Sequence, residues 1–423
     1  MDLGIKNWRW ALKESSWLAF DAIRSQPVRS ALAILGIVIG IITVVLVASV
    51  LANVRNSVAL LFRELGTENV FAFHLTGDPY QPSSEQEARR QPLKPRFAGE
   101  IIRNSTAIRE VAVQVIVPPI VNGRALTARA DDNESDRVLV EGASASFFEI
   151  GGAEFAAGRP FTELEERAAA HVAVIGSGLA RALFGTASSI GRSIVLGGDT
   201  YFVVGETAPR KGGFFGENRQ DSVMALPVST VTRRFPEAEN TVLYAQARAG
   251  QLDQAWREME ANLRRLRRLA PEADNDFTLS TSESIIRTFD DISERVGLVT
   301  VALAAVSLFI GGIGIANVMI ISVTERTREI GLRLAIGARR REVLAQFLIE
   351  AATLSVLGGA AGVALALGLG AVITLFVSGF SAVVPLWAIV AGLTASLSVG
   401  IAAGYWPARR AAGLDPVEAL RYE

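Results

Sequence analysis

The sequence predicts a membrane protein with four transmembrane α-helices and a large α+β domain outside the cytoplasm. Three observations predict it. Four apolar runs each reach the roughly 20 residues that a 30 Å hydrocarbon core requires. Lysine and arginine flank those runs in one consistent pattern. The long segment between the first and second runs alternates strand-like and helix-like stretches. Composition agrees: 50% hydrophobic and 20% charged, with a mean hydropathy of +0.32. That is too apolar for an ordinary soluble protein and too charged for one embedded throughout.

Residues 1–29 carry Trp8, Trp10, Trp17 and Phe20 among Lys6, Arg9, Lys13, Arg24 and Arg29. That mixture suits an amphipathic helix in the cytoplasmic interface. The first span covers 30–52. Its apolar run exceeds the roughly 7–15 residues of a signal peptide, so it reads as an uncleaved anchor. Residues 53–290 form the outer, periplasmic domain and open and close on stalk helices. Val54, Val58 and Leu61 make one apolar stripe, and Ile285, Phe289 and Ile292 make the other. Spacings of three and four put each stripe on one helix face, so the two stalks could pack together.

Between the stalks, ENVFAFHL, a helix near Phe97–Asn104 and a strand near Val111–Val117 are balanced by TVLYAQAR, LDQAWREMEANLRRLRRL and DFTLST. These read as a split βαβ unit of the ferredoxin-like or porter-like kind. Residues of about 120–227, rich in short strands and glycines, read as a β-rich subdomain inserted into it. The second span is 291–323, the third 343–377 and the fourth 382–406. The third is longer than one crossing needs and must tilt or project. Loop 324–342 carries Arg326, Arg328, Arg333 and Arg339 to Arg341, and tail 407–423 carries Arg409, Arg410 and Arg421. The short connection between the last two spans has no basic residue. The positive-inside rule then places both termini and the Arg-rich loop in the cytoplasm.

Catalytic patterns are missing. There is no GxxxxGK[ST] loop, and Ser177 in IGSGL does not fit a G-x-S-x-G elbow. The chain has no cysteine and two histidines, His74 and His171, without metal-ligand spacing,. No metal site and no nucleic-acid site is expected; the basic run Arg264 to Arg268 reads as a solvated helix surface. Glu350 is the one ionisable residue inside an apolar run, which gives no charge relay for ion translocation. Within the spans, Gly36 and Gly40, Gly358 and Gly362, and Gly400 and Gly404 recur at four-residue spacing, which lets helices approach closely. Loop 324–342 also has an apolar aspect, Ile330, Leu332, Leu334 and Ile336, that calls for a partner.

The stretch VSLFIGGIGIANVMIISVTERTREIGLRLAIGARRREVLAQFLIEA and the ending GYWPARRAAGLDPVEALRYE resemble the permease domain of MacB/FtsX-type ABC transporters. AGRPFTELE, HVAVIGSGLARALFG and IGRSIVLGGDTYFVVGE resemble the periplasmic core of the macrolide exporters in that family. The resemblance implies that Thr324, Glu325, Arg326, Arg328, Glu329, Gly331, Arg333, Gly337 and Ala338 form the coupling segment that docks on an ABC ATPase. It implies no cofactor on this chain, with ATP and Mg bound by the partner ATPase. Because the macrolide exporters carry an ATPase domain ahead of their first span and this sequence does not, a separate ATPase subunit is expected. Further implied partners are a second permease copy or a related permease in a dimer, a periplasmic adaptor and an outer-membrane channel. The implied location is the bacterial inner membrane. The implied work is mechanotransmission, with ATP hydrolysis moving the periplasmic domain to drive export or efflux. Lipoprotein release, or signalling to a periplasmic hydrolase, would use the same layout.

Overall fold

The computed structural model describes residues 27–64, 66, 68–76, 82–210, 219–376 and 383–420, so the interfacial helix expected before residue 27 lies outside the described residues. The chain divides into two compact units, Arg55–Asp290 and the combination of Met1–Val54 with Asp291–Glu423.

Helix α1 (Pro27–Glu64) is a single apolar helix of 38 residues. The outer domain follows in the order β1 (Asn69–Phe73), α2 (Glu85–Ala88), α3 (Phe97–Arg103), β2 (Ile108–Ile116), β3 (Ile120–Val121), β4 (Arg124–Ala125), β5 (Ala128–Ala130), β6 (Asn133–Ser135) and β7 (Leu139–Ala143). It continues through α4 (Phe147–Ile150), β8 (Phe155–Gly158), α5 (Glu163–Arg167), β9 (Val172–Gly176), α6 (Ser177–Phe184), β10 (Ser193–Leu196) and β11 (Asp199–Thr207). It closes with β12 (Val223–Pro227), α7 (Val228–Arg234), β13 (Asn240–Ala247), α8 (Leu252–Leu266) and β14 (Thr278–Thr281).

Strands β14-β1-β13-β2 lie side by side in that order, with every adjacent pair antiparallel. In chain sequence that is 4-1-3-2, with α3 and α8 as the two crossovers, which is the ferredoxin-like arrangement the split βαβ pattern predicts. Apart from the two-stranded pair β3-β4, the segment inserted between β2 and β13 joins the same sheet. Its β7 pairs with the free edge of β2, and the sheet runs on through β12, β9, β11, β10, β5 and β6. The alternation of buried side chains shows why. Val111, Val113 and Val115 of β2 share one core with Ala173 and Ile175 of β9, Met224 and Leu226 of β12, and Leu243 and Ala245 of β13. Ala112, Val174, Val223 and Ala225 point into the opposite core. A strand has period two, so all these strands must keep one register for each face to stay apolar.

Helices α3 and α8 cover the first face with Phe97, Ala98 and Ile101 and with Ala255, Met259 and Leu263. The second face is an aromatic cluster in which Phe147 meets Tyr244 edge-on at 5.3 Å and Phe148 meets Phe161 at 5.1 Å. Such edge contacts add about 0.5–1.5 kcal/mol beyond burial.

The remaining helices are α9 (Ser282–Glu325), α10 (Thr327–Ala335), α11 (Arg340–Phe376), α12 (Leu386–Ala412) and α13 (Pro416–Leu420). Together with α1, three of these (α9, α11 and α12) are long and apolar enough to cross a membrane. Helix α9 has 44 residues, a length of about 66 Å at 1.5 Å per residue, far more than a bilayer core. At its start Ser282 Oγ donates to the Gly66 carbonyl at 2.9 Å. Gly66 has φ +84°, a left-handed turn open to glycine, and it ends the chain's exit from α1. Near the same level Arg55 on α1 donates two hydrogen bonds to Asp290 on α9, at 2.6 and 3.0 Å.

All six paired glycines sit against a neighbouring helix at short range. A Cβ at Gly36 would lie 2.8 Å from the Gly311 nitrogen, and one at Gly40 would lie 3.2 Å from the Ala304 carbonyl oxygen. A Cβ at Gly400 would overlap Ser355, and one at Gly404 would come within 2.4 Å of the Ala351 Cβ. Gly358 faces Ile37 at 3.4 Å and Gly362 faces Ile41 at 3.1 Å. The stalk residues vary more. Val58 is buried, Val54, Ile285 and Phe289 are half-buried, and Ile292 is 53% exposed. Ile292 is thus the most exposed of the described stalk positions. The side chain of Leu61 lies outside the described residues.

Candidate functional site

The Arg-rich loop is a helical hairpin. Thr324 and Glu325 finish α9, Arg326 is the N-cap of α10, and α10 ends at Ala335. It ends there for a local reason. The Ala338 N–H donates to the Arg333 carbonyl and the Gly337 N–H to the Leu334 carbonyl, at 3.0 and 3.1 Å. Gly337 has φ +104°. This is a Schellman stop, which needs a residue free to adopt positive φ. Gly337 and Ala338, nominated as coupling positions, here terminate the helix and aim the chain into α11. The Arg339 N–H donates to Glu342 Oε2 at 3.1 Å, which caps the start of α11.

Helical spacing splits the apolar aspect of the loop in two. Ile330 is 5% exposed and packs in the helical core, with Leu334 half-buried against it. Leu332 and Ile336 point the other way, at 51% and 79% exposure. Arg328, Glu329 and Arg333 are exposed around them. The outer face of α10 is thus two uncovered apolar side chains ringed by both signs of charge. Arg333 also donates to Gln346 on α11 at 2.9 Å.

Arg326 faces inward. Its Nη1 lies 3.8 Å from Glu350 Oε1, with the two side chains 22% and 1% exposed. Gly331 is buried because α13 lies on it: a Cβ there would meet the Ala419 Cβ at 2.5 Å. The tail helix and the hairpin helix therefore touch through their two smallest available side chains. A pocket of about 170 Å³ between them is lined by Thr324, Thr327, Pro407, Arg410 and Glu418. Val417 and Leu420 of α13 are 69% and 43% exposed. Sequence reasoning missed this brace; small residues at positions 331 and 419 are its only signal, and nothing local relates them.

In the outer domain, a groove of about 600 Å³ lies over β2, bordered by α3, α5 and the segment 144–150. Two ion pairs mark its rim, Arg109 with Glu149 at 3.6 Å and Arg167 with Glu163 at 2.9 Å. Glu166, also in its wall, accepts from the Ala145 N–H at 2.7 Å, and burial pushes its carboxyl up against that bond. Residues from 95 to 246 line the groove, so no spacing could have revealed it. Among the described residues no group of three His, Cys, Asp or Glu side chains could hold a metal ion. His74 is buried beside Phe73 and His171 stacks on Tyr201 at 5.2 Å.

Two family models match this architecture, the MacB-like periplasmic core domain over residues 30–262 and the FtsX-like permease C-terminal domain over 301–416. The chain belongs to the MacB/FtsX-type family of ABC-transporter permeases. Among its relatives are the pyoverdine export ATP-binding/permease protein PvdT of Pseudomonas aeruginosa and the macrolide export ATP-binding/permease protein MacB of Bradyrhizobium diazoefficiens. The first is 36% identical over 98% of this chain and 59% of the relative. The second is 34% identical over 98% and 62%. The chain thus spans about three fifths of the length of these relatives. The periplasmic region of MacB from Actinobacillus actinomycetemcomitans matches 54% of this chain and 95% of that structure, at 16% identity and a TM-score of 0.43. Four apolar helices and the family together make this a multi-pass protein of the inner membrane.

Proposed function

We propose that this chain is the permease of an ABC exporter, driven by an ATPase that docks on α10, and that it transmits ATP-driven motion to its periplasmic domain. The observation that carries the reading is the outer face of α10. Leu332 and Ile336 stand exposed among Arg328, Glu329 and Arg333, on a helix held from behind by Ile330 and by Ala419. A small apolar centre with a charged rim is the composition of a protein-binding patch. Both termini and α10 lie in the cytoplasm in this reading, which the arginine distribution supports. ATP and Mg bind the ATPase and not this chain. A second permease copy completes a dimer, and a periplasmic adaptor with an outer-membrane channel would carry substrate onward. Long unbroken helices such as α9 support transmission, since a displacement at one end is delivered at the other without a solute path through the bundle.

The test is tagged full-length protein purified in nanodiscs from its native host. Glu329→Arg combined with Ile336→Asp should lower the ATPase activity recovered with it at least tenfold, while hydrogen exchange in the outer domain stays unchanged. Wild-type recovery of ATPase with the double variant would remove α10 as the docking site.

A further inference from the structure

We infer that Arg326 and Glu350 form a restoring strut that holds the N-terminal end of α10 against α11 and resists its outward displacement. The inference deepens the proposed docking role of α10 and rests on it for its meaning in the transport cycle, though not for its geometry.

Glu350 is 1% exposed, and neither of its carboxylate oxygens has a hydrogen-bond partner among the described residues. A buried carboxylate in that condition is costly, and the cost is relieved by a nearby cation or donor or by taking up a proton. Arg326 Nη1, at 3.8 Å, is the cation it has. That spacing is attractive but lies beyond a hydrogen bond. A shift of Arg326 toward Glu350 by about 1 Å would create a charge-assisted bond. A shift away would leave the buried charge uncompensated. The energy profile is therefore lopsided, and α10 is drawn toward α11 whenever its first turn moves off.

The helices are built to use this. Arg326, at the N-cap, and Arg333, seven positions on, both reach across to α11. Gln346 and Glu350 are four apart on α11, one turn, and share a face. The hairpin is antiparallel, so Arg326 meets Glu350 while Arg333 meets Gln346 at 2.9 Å. One tie is a complete hydrogen bond to a neutral amide; the other joins two opposite charges and is incomplete. The ionic one is at the end of α10 that joins α9, where the hairpin can pivot. Glu350 also sits on an unbroken helix reaching to Phe376, so a pull on its carboxylate is a pull on a membrane helix. Arg326, nominated as an ATPase contact, takes instead a positioning role behind the docking face.

The chain has no cysteine, so Ala335→Cys and Ala402→Cys can carry spin labels with no other thiol to react. Both positions are exposed. Pulsed electron paramagnetic resonance on the full chain in nanodiscs then reports the distance distribution from α10 to α12. Glu350→Gln and Arg326→Gln should each at least double its width, whereas Arg326→Lys should keep it narrow. Glu350→Gln should not lower the melting temperature, because it removes a buried charge. A residue acting only through packing would not separate Lys from Gln at 326. A wild-type distribution in Glu350→Gln, or equal broadening by Arg326→Lys and Arg326→Gln, would overturn the strut. The distances need no ATPase. If they change as stated while ATP hydrolysis in the native complex does not, the strut stands and docking at α10 fails.

Discussion

Gly36 has no space for a methyl group, because a Cβ there would press on the backbone of Gly311 at 2.8 and 2.9 Å. Backbone cannot rotate away as a side chain can. Gly36→Ala should therefore destabilise the helical unit by about 1–3 kcal/mol, the usual cost of overpacking. Gly297, on the same helix as Gly311, has nothing within 4 Å of its Cβ position. Gly297→Ala should be neutral or stabilising, by up to about 1 kcal/mol of helix propensity. Thermal melting of both variants in nanodiscs checks the pair, and equal shifts would mean that the close approach of α1 and α9 is not what limits stability. A different residue-scale effect is expected at Glu141. It is 7% exposed on β7, Gln114 donates to it at 2.5 Å, and the Tyr244 hydroxyl donates to Gln114 at 2.6 Å. Burial pushes the Glu141 carboxyl up, with the Gln114 bond and Arg210 opposing. A carboxyl raised in the folded state gives its stability below its ordinary value of 4.5, and that stability is lost as pH rises through the higher folded value,. Glu141→Gln should thus raise the urea midpoint of the outer domain at pH 7 and change it less at pH 4.5. The same difference at both pH values would mean that folding does not raise the Glu141 carboxyl at all.

At the scale of elements, α10 and α13 are each too short to be stable alone, and each is helical because it is packed. Their contact at Gly331 and Ala419 makes the tail part of the hairpin. Gly331→Val would drive two methyl groups into the space of Ala419 and should lift α13 away, so that proteases cut the tail at least tenfold faster. Ala419→Gly in the same chain should slow that cleavage again. An unchanged cleavage rate in Gly331→Val would show that α13 is held elsewhere, for instance by Leu414. The hairpin also marks where sequence reading succeeds and where it stops. The arginines marked 324–342 as a segment between two apolar runs, because that signal is local; that it folds as a helix stopped at Gly337 is what the structure adds. The inward turn of Arg326 was invisible, since its cause is Glu350, 24 positions away on another helix. The same holds for the outer domain. Period-two alternation revealed the strands and the 4-1-3-2 order could be anticipated from the two βαβ halves. That β7 would extend the edge of β2, and so fuse the insertion to the same sheet, depends on a pairing no local pattern encodes.

For the whole molecule, the decisive quantity is which side of the membrane each end occupies, because docking at α10 by a cytoplasmic ATPase requires one answer. The described part of the outer domain places Glu110, Asp131, Asp132, Glu134 and Asp136 among its many exposed or half-exposed charges. The hairpin and the start of α11 carry six arginines within Arg326–Arg341. Each arginine at the centre of a membrane costs about 2.5–3.5 kcal/mol by insertion measurements, which is why the proposed reading keeps this segment on the side where it is made. An even number of spans separates α1 from the tail: α1, α9, α11 and α12 are four. On the proposed reading the N-terminal flank and the tail share that side, and the domain between α1 and α9 lies across the membrane from them. The absence of cysteine makes the consequence measurable with single substitutions. In intact spheroplasts a membrane-impermeant maleimide should label Asp132→Cys fully and Ala335→Cys by less than a tenth as much. After permeabilisation the two should label alike. The opposite pattern would place α10 outside, and no arrangement of docking residues on it could then receive work from ATP in the cytoplasm.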